Sequence, residues 1–386
     1  MHTPSQAEDR QAAPPHVGWL VRIVVTCLSL ALGLVMVEGL AAVARDHAFP
    51  FLNIYEPDPT FGVRLTPSTS TATRSREGRV TDVYTNALGF RGPEWTPAEV
   101  AAPVAGRVML LGDSQVFGYG VDEVDSVAAR LQEELGADYE VLNAGVPTWG
   151  PQEQVLALDA LGPTYRPEIV LYFANVANDW FEAKLPNLER TTARDGWAAF
   201  VLQGQPEVID FPGRAWLMGR SHVVFGVREL LAHASGPPPQ KAVSADRLLS
   251  DLPHLIRPDG RYRSRLTAPL MAVRARCRAL GCRVVAVGLP MDVQVHASEW
   301  KKYASGRVDL STTEVLLDLF LGEARHHGLR AVDLRGPLLA ASPGAFLPDD
   351  YHLSAQGHAA VARALVPVIS APASVAVQLV HKEVRP

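Results

Sequence analysis

Residues 108–114, Val108-Met109-Leu110-Leu111-Gly112-Asp113-Ser114, read as a buried strand that stops at a polar turn. Four apolar residues without alternation suit a strand covered on both faces, as in a parallel sheet. The pattern recurs along the chain. Further strands are predicted around residues 140–143, 169–174, 283–288 and 331–334. Between and after them, helices are predicted over 125–135, 152–161 (opened by Pro151), 266–280, 312–327 and 355–369. Alternation of this kind predicts an α/β chain: a flavodoxin-like three-layer α/β/α sandwich around a five-stranded parallel sheet.

Outward from that core the chain changes character. Residues 1–16 are polar, and Ile23 to Val37 then run without a charge. With Glu38 as the one interruption, the apolar stretch reaches Ala44 and totals 22 residues, enough to cross a bilayer as a helix. Arg10 and Arg22 precede it and Arg45 follows, a slight bias toward a cytoplasmic N-terminus. We favour an uncleaved transmembrane anchor over residues 17–45, with the rest extracytoplasmic. The alternative is a signal peptide cut after Ala42-Val43-Ala44 and a secreted domain. Residues 46–100, rich in Pro, Thr, Ser and Gly, read as an extended lead-in to a domain of residues 101–370, and 371–386 as a tail. The alternation breaks between about 180 and 263, too long for a plain connection, so an inserted cap over one end of the sheet is expected.

Bulk composition excludes more than it selects. A net charge of -5 gives no basic face for nucleic acid. No Cys/His cluster has zinc spacing, and no metal or organic cofactor is implied. Cys277 and Cys282 could pair in an oxidising compartment; two unpaired buried thiols are the simpler reading. Nothing in the sequence sets an oligomeric state.

Sheets of this type bind ligands beyond the carboxyl ends of their strands. There the chain places Gly112-Asp113-Ser114, Asn143-Ala144-Gly145, Asn178-Asp179 and Asp349-Asp350-Tyr351-His352. These types support acyl transfer. A serine hydroxyl needs a base, histidine titrates near neutrality, a carboxylate orients the imidazole, and N–H donors hold the oxyanion. Four blocks in this order resemble the SGNH (GDSL-type) hydrolases. The motif TNALGFRG at 85–92 is similar to the lead-in of a bacterial membrane-anchored branch associated with envelope polysaccharides.

The resemblance implies Ser114 as nucleophile, His352 as base and Asp349 as orienting acid, with Asp350 as the alternative. It implies an oxyanion hole of Ser114 N–H, Gly145 N–H and the Asn178 amide. Val176 stands where this family usually has a glycine, and Asp113 is expected to support the turn. The implied activity is ester hydrolysis, on O-acyl (acetyl) esters of an envelope glycan or another small ester. The alternatives are O-acyl transfer in exopolysaccharide modification and a catalytically silent, anchored glycan-binding protein.

Trp149 and Trp180 follow two of the blocks; either packs under the insertion or stacks on a sugar, and packing is the expected role. The arginines between Arg257 and Arg283 read as a solvated face.

Overall fold

The structure, a computed structural model, describes residues 15–371 apart from 76, 102–103, 177, 202–208, 235–260 and 304–306. The strands β1 (Gly106–Gly112), β2 (Tyr139–Gly145), β3 (Ile169–Asn175), β4 (Arg283–Leu289) and β5 (Arg330–Asp333) form one sheet in the order β5-β4-β3-β1-β2. All of its pairings are parallel, and every residue of β1 and β3 is buried.

Seven longer helices accompany the sheet: α1 (Pro15–Ala44), α2 (Val127–Leu135), α3 (Pro151–Tyr165), α4 (His222–Ala234), α5 (Arg261–Leu280), α6 (Ser311–His326) and α7 (Ala355–Ser370). Strand side chains alternate between two cores, as the period of two requires. Met109, Leu111, Val170 and Tyr172 face one side, where α3, α5 and α6 bring Leu158, Leu270 and Phe320. Val108, Leu110, Leu171 and Phe173 face the other, covered by Leu131 of α2 and Leu365 of α7. This is the expected three-layer sandwich. Each fully buried Leu or Phe contributes about 1.5–3 kcal/mol relative to exposure, so the sheet is a stiff platform for its carboxyl edge.

Two expectations need correction. Residues 46–100 are not a bare extended lead-in. Ala48–Phe49 pairs with Ser70–Arg74, which pairs with Val80–Tyr84, and Tyr55–Asp58 pairs with Gly62–Leu65. Leu52, Ile54, Val63 and Leu65 enter the main core. Strands of two to five residues are too short to show a period, which is why the sequence hides them. Cys277 and Cys282 are not free thiols but a disulfide across the turn from α5 to β4, with Cα atoms 4.6 Å apart.

The described part of the insertion packs on this lead-in and on α1. A hairpin of Thr191–Arg194 and Trp197–Phe200 precedes a short helix, Arg214–Arg220, and then α4. Asn187 Nδ2 donates to Phe61 O, and Asn53 Nδ2 donates to Gly219 O. Both tryptophans singled out above are buried: Trp149 donates its indole N–H to Val63 O at 2.8 Å and stacks on Phe61. Arg276 pairs with Asp159, while Arg257 lies outside the described residues. From Gly18 to Ala44, α1 is long and apolar enough to cross a membrane.

Candidate active site

At the end of β1 the chain turns into a single helical turn, Ser114–Phe117. Asp113 caps it: Oδ1 accepts from Gln115 N–H at 2.9 Å, the support expected of this residue. Its other oxygen accepts from Asn175 Nδ2 at 2.8 Å, which ties the turn to the end of β3. Two glycines permit the close packing. A Cβ on Gly112 would meet Val116 Cγ2 at 2.2 Å, and one on Gly145 would meet Phe117 N at 2.6 Å. Arg91, from the TNALGFRG motif, closes the far end of the turn. Its buried guanidinium donates to the carbonyls of Phe117, Gly118 and Val121. Burial away from water lowers its pKa to about 10, so it stays charged.

His352 arrives from a loop between β5 and α7, 238 residues away from Ser114. Its Nε2 lies 2.8 Å from Ser114 Oγ. Its Nδ1 lies 3.1 Å from Asp350 Oδ1, an ionic contact off the axis of a linear hydrogen bond. Asp350, and not Asp349, is therefore the carboxylate at the imidazole. Asp349 sits one step earlier in the turn and accepts from the lead-in backbone at Glu77 N–H, 3.2 Å away. The chain turns through residues 348–352, and the bend places 350 beside 352 while 349 faces the lead-in.

Burial alone would depress the His352 pKa. The Asp350 carboxylate, with Asp113 and Asp292 farther off, outweighs it and lifts the imidazole above its ordinary value. Conversely, burial would raise Asp350, but His352, Tyr351 N–H and Lys302 hold it below the usual carboxylate range. Tyr351 and Tyr119 flank the ring, with centroids 4.4 and 4.9 Å away.

The donors expected at the oxyanion hole are placed as follows. Ser114 N–H is the first of its helical turn and so has no intrahelical acceptor. Gly145 N–H, beside that turn, donates to Asn143 Oδ1 at 3.1 Å. Asn178 stands at the N-terminal end of the short helix Asp179–Glu182 without a side-chain capping bond, and its side chain helps to lower the pKa of the Glu182 carboxyl. Among the described residues no group of His, Cys, Asp and Glu side chains could hold a metal ion.

Residues 258–384 match the family described as an SGNH hydrolase-like domain, acetyltransferase AlgX. That stretch of the chain is similar to an SGNH hydrolase-like domain. Among curated proteins no sequence matches. Solved structures similar to this chain include a putative lipolytic protein of the G-D-S-L family from Desulfitobacterium hafniense DCB-2. It is 14% identical, covering 67% of this chain and 99% of that one, with a TM-score of 0.35. A lipase/acylhydrolase from Enterococcus faecalis is 14% identical, covering 68% and 95%, with a TM-score of 0.37. A carbohydrate acetylesterase family member from Sinorhizobium meliloti is 15% identical, covering 68% and 97%, with a TM-score of 0.33.

Several side chains of the candidate site escape a sequence reading. Gln115 is buried and bridges the two halves of the site. Its Oε1 accepts from Leu353 N–H at 3.0 Å and its Nε2 donates to Tyr351 O at 3.3 Å, so it grips the backbone on both sides of His352. Lys302 donates to Asp350 O at 2.9 Å and pairs with buried Asp292 at 3.2 Å, while Tyr303 OH donates to the same carboxylate at 2.7 Å. The strand-end rule applied to β4 points to Leu289-Pro290-Met291-Asp292, so Asp292 had a usable signal. Gln115 had none beyond its adjacency to Ser114.

Proposed function

We propose that this protein is a serine ester hydrolase that works through an acyl-enzyme on O-acyl (acetyl) esters of an envelope glycan or another small ester. The observation that carries this reading is the 2.8 Å approach of His352 Nε2 to Ser114 Oγ, with Asp350 on the opposite ring nitrogen. Ser114 Oγ attacks the ester carbonyl as His352 takes its proton; the C–O bond then breaks and the alcohol leaves with that proton. Water, activated by the same imidazole, attacks the acyl-enzyme and releases the acid. Asp350 holds the productive tautomer and stabilises the imidazolium. Ser114 N–H is the oxyanion donor without another acceptor; Gly145 N–H and the Asn178 amide join it by turning from Asn143 and Glu182.

A second reading, O-acyl transfer, is favoured by the description of the matched family as an acetyltransferase. It differs only in the acceptor that meets the acyl-enzyme. The full chain given an activated acetyl ester, with and without an oligosaccharide, separates the two. Turnover that is independent of the acceptor supports hydrolysis, and release that requires it supports transfer. Turnover unchanged in Ser114→Ala overturns both.

We further read α1 as a retained anchor. Glu38, six residues before its end, accepts from Ser221 Oγ at 2.6 Å and His222 N–H at 2.5 Å, and Arg45 pairs with Glu229 at 2.6 Å. Cleavage at Ala44 would strip Ser221 and His222 of the Glu38 acceptor. The Cys277–Cys282 disulfide suits an oxidising, extracytoplasmic compartment.

A further inference from the structure

Helix α4 is apolar on two faces, and only one of them is covered. His222, Phe225, Gly226 and Glu229 recur at helical spacing and face α1 and the first lead-in strand. Phe49 stacks on His222 with centroids 4.3 Å apart, and Arg45 lies over the Phe225 ring and pairs with Glu229. Gly226 allows this approach, since a Cβ there would sit 3.1 Å from Arg45 Nη2. The opposite stripe, which includes Val227 and Leu230, is exposed among the described residues, at 51% and 70%. Trp216, on the preceding short helix, is 56% exposed, and Ile209 and Phe211 add to the same insertion's uncovered apolar surface.

The covered face rests against the end of α1. Glu38 caps the N-terminal end of α4, and six residues separate it from Ala44, about 9 Å along a helix. From there α4 runs in the same direction as α1, since Arg45 meets Glu229 seven residues on. A helix at that depth beside a spanning segment occupies the interfacial layer of a bilayer. Exposed Arg220 and Arg228 flank the stripe as cations do at headgroups. An acid inside an apolar span is costly unless its charge is met, and the Glu38 hydrogen bonds to the start of α4 meet it.

We propose that α4, with Trp216 ahead of it, is a lipid dock that stands against α1 at the outer interfacial layer and holds the cavity beside the Asp349–Asp350 loop at the membrane surface. The proposal rests on the reading of α1 as a membrane span. A cavity of about 330 Å³ is lined by Arg45, Phe51 and Glu229 together with Tyr119, Asp349 and Asp350. One wall therefore belongs to the end of α1 and to α4, and another to the loop that carries Asp349 and Asp350 ahead of His352, although neither Ser114 nor His352 lines the cavity. An ester held on the membrane would meet the protein on this side of the histidine loop.

The test uses the full chain in phosphatidylcholine–phosphatidylglycerol vesicles with an environment-sensitive fluorophore on one cysteine at a time. The label is placed on native Cys27 within α1, or, in a Cys27→Ser background, on Leu230→Cys or on Leu339→Cys, an exposed position of the sheet domain. Lipids carrying a nitroxide near the headgroup are expected to quench the Leu230 probe severalfold more than the Leu339 probe. Lipids with a deep nitroxide are expected to quench Cys27. Quenching at Cys27 without quenching at Leu230 overturns the dock and leaves the anchor standing. No quenching at either position overturns both. A blue shift at Leu230 without lipid quenching also overturns the dock, because it reports a protein partner or a second copy. If the label at Leu230 disturbs folding, Val227→Cys on the same stripe gives the same readout.

Discussion

The two halves of the candidate site are built on different principles. The Ser114 half is a turn fixed from beneath by the sheet: Gly112 and Gly145 pair at the ends of β1 and β2, and Asp113, Asn175 and Arg91 fill every side of the turn. The His352 half is a loop fixed from the side. Lys302, Asp292 and Tyr303 hold the backbone at Asp350, and Gln115 reaches across to hold Tyr351 and Leu353. The first half owes its geometry to close backbone packing, the second to side-chain hydrogen bonds. Substitutions in the two halves should therefore fail in different ways, by unfolding in one and by misorientation in the other.

The sharpest contrast lies inside the histidine loop. Asp350→Asn should lower the turnover of an activated acetyl ester by about 10⁴-fold with the fold intact, because the imidazole loses its orienting charge. Asp349→Asn should stay close to wild type, since its carboxylate accepts from Glu77 N–H and not from the imidazole. Equal losses would dissolve the distinction between the neighbouring acids. In the nucleophile half, Gly145→Ala should cost about 1–3 kcal/mol in denaturant unfolding, the usual magnitude for overpacking. Its Cβ would meet the Phe117 backbone, which has little freedom to yield.

Gln115 joins the halves, so it should show the mixed behaviour. Gln115→Ala removes two hydrogen bonds to backbone and should reduce kcat about tenfold, equivalent to about 1.4 kcal/mol, with KM little changed. A change confined to stability would mean that Gln115 only packs. The pH profile reports on the histidine side. His352 must be neutral to accept the Ser114 proton, and its pKa is raised, so activity should fall with decreasing pH through a midpoint above the ordinary value of about 6.5. A midpoint below that value would contradict the Asp350 contact.

A last effect concerns Glu182, which feels the charge of Asp113 beside the nucleophile. The Glu182 carboxyl is pushed up to about 8 by burial, with Arg190 opposing and Asp113 and Glu153 adding to the rise. Between about pH 4.5 and 8 the native chain keeps a proton that the unfolded chain has released. Stability should then fall as pH rises, by up to about 1.4 kcal/mol per unit. Glu182→Gln should flatten that slope in thermal unfolding, and an unchanged slope would assign it elsewhere.

The same contrast explains what the sequence could reveal. All five sheet strands and the nucleophile turn were legible because each is a contiguous run whose apolar pattern or glycine has one physical meaning. Asp350 was misjudged because neighbouring acids differ only in which side of a bend they occupy, and no periodicity records that. The lead-in strands were missed because they are two to five residues long and stabilised by Trp149, Phe61 and the hairpin beyond, not by their own pattern. Gln115 stayed silent because its partners are backbone atoms, which have no letter in a sequence, and Lys302 because the carbonyl it holds, Asp350 O, lies 48 residues away.

The central claim is that Ser114 is a nucleophile activated by His352. Peptide mapping after reaction with a fluorophosphonate tests it most directly. The predicted result is a single adduct on Ser114, absent from Ser114→Ala and strongly slowed in His352→Ala. No adduct on the folded protein, or an adduct that persists elsewhere when Ser114 is replaced, would contradict it.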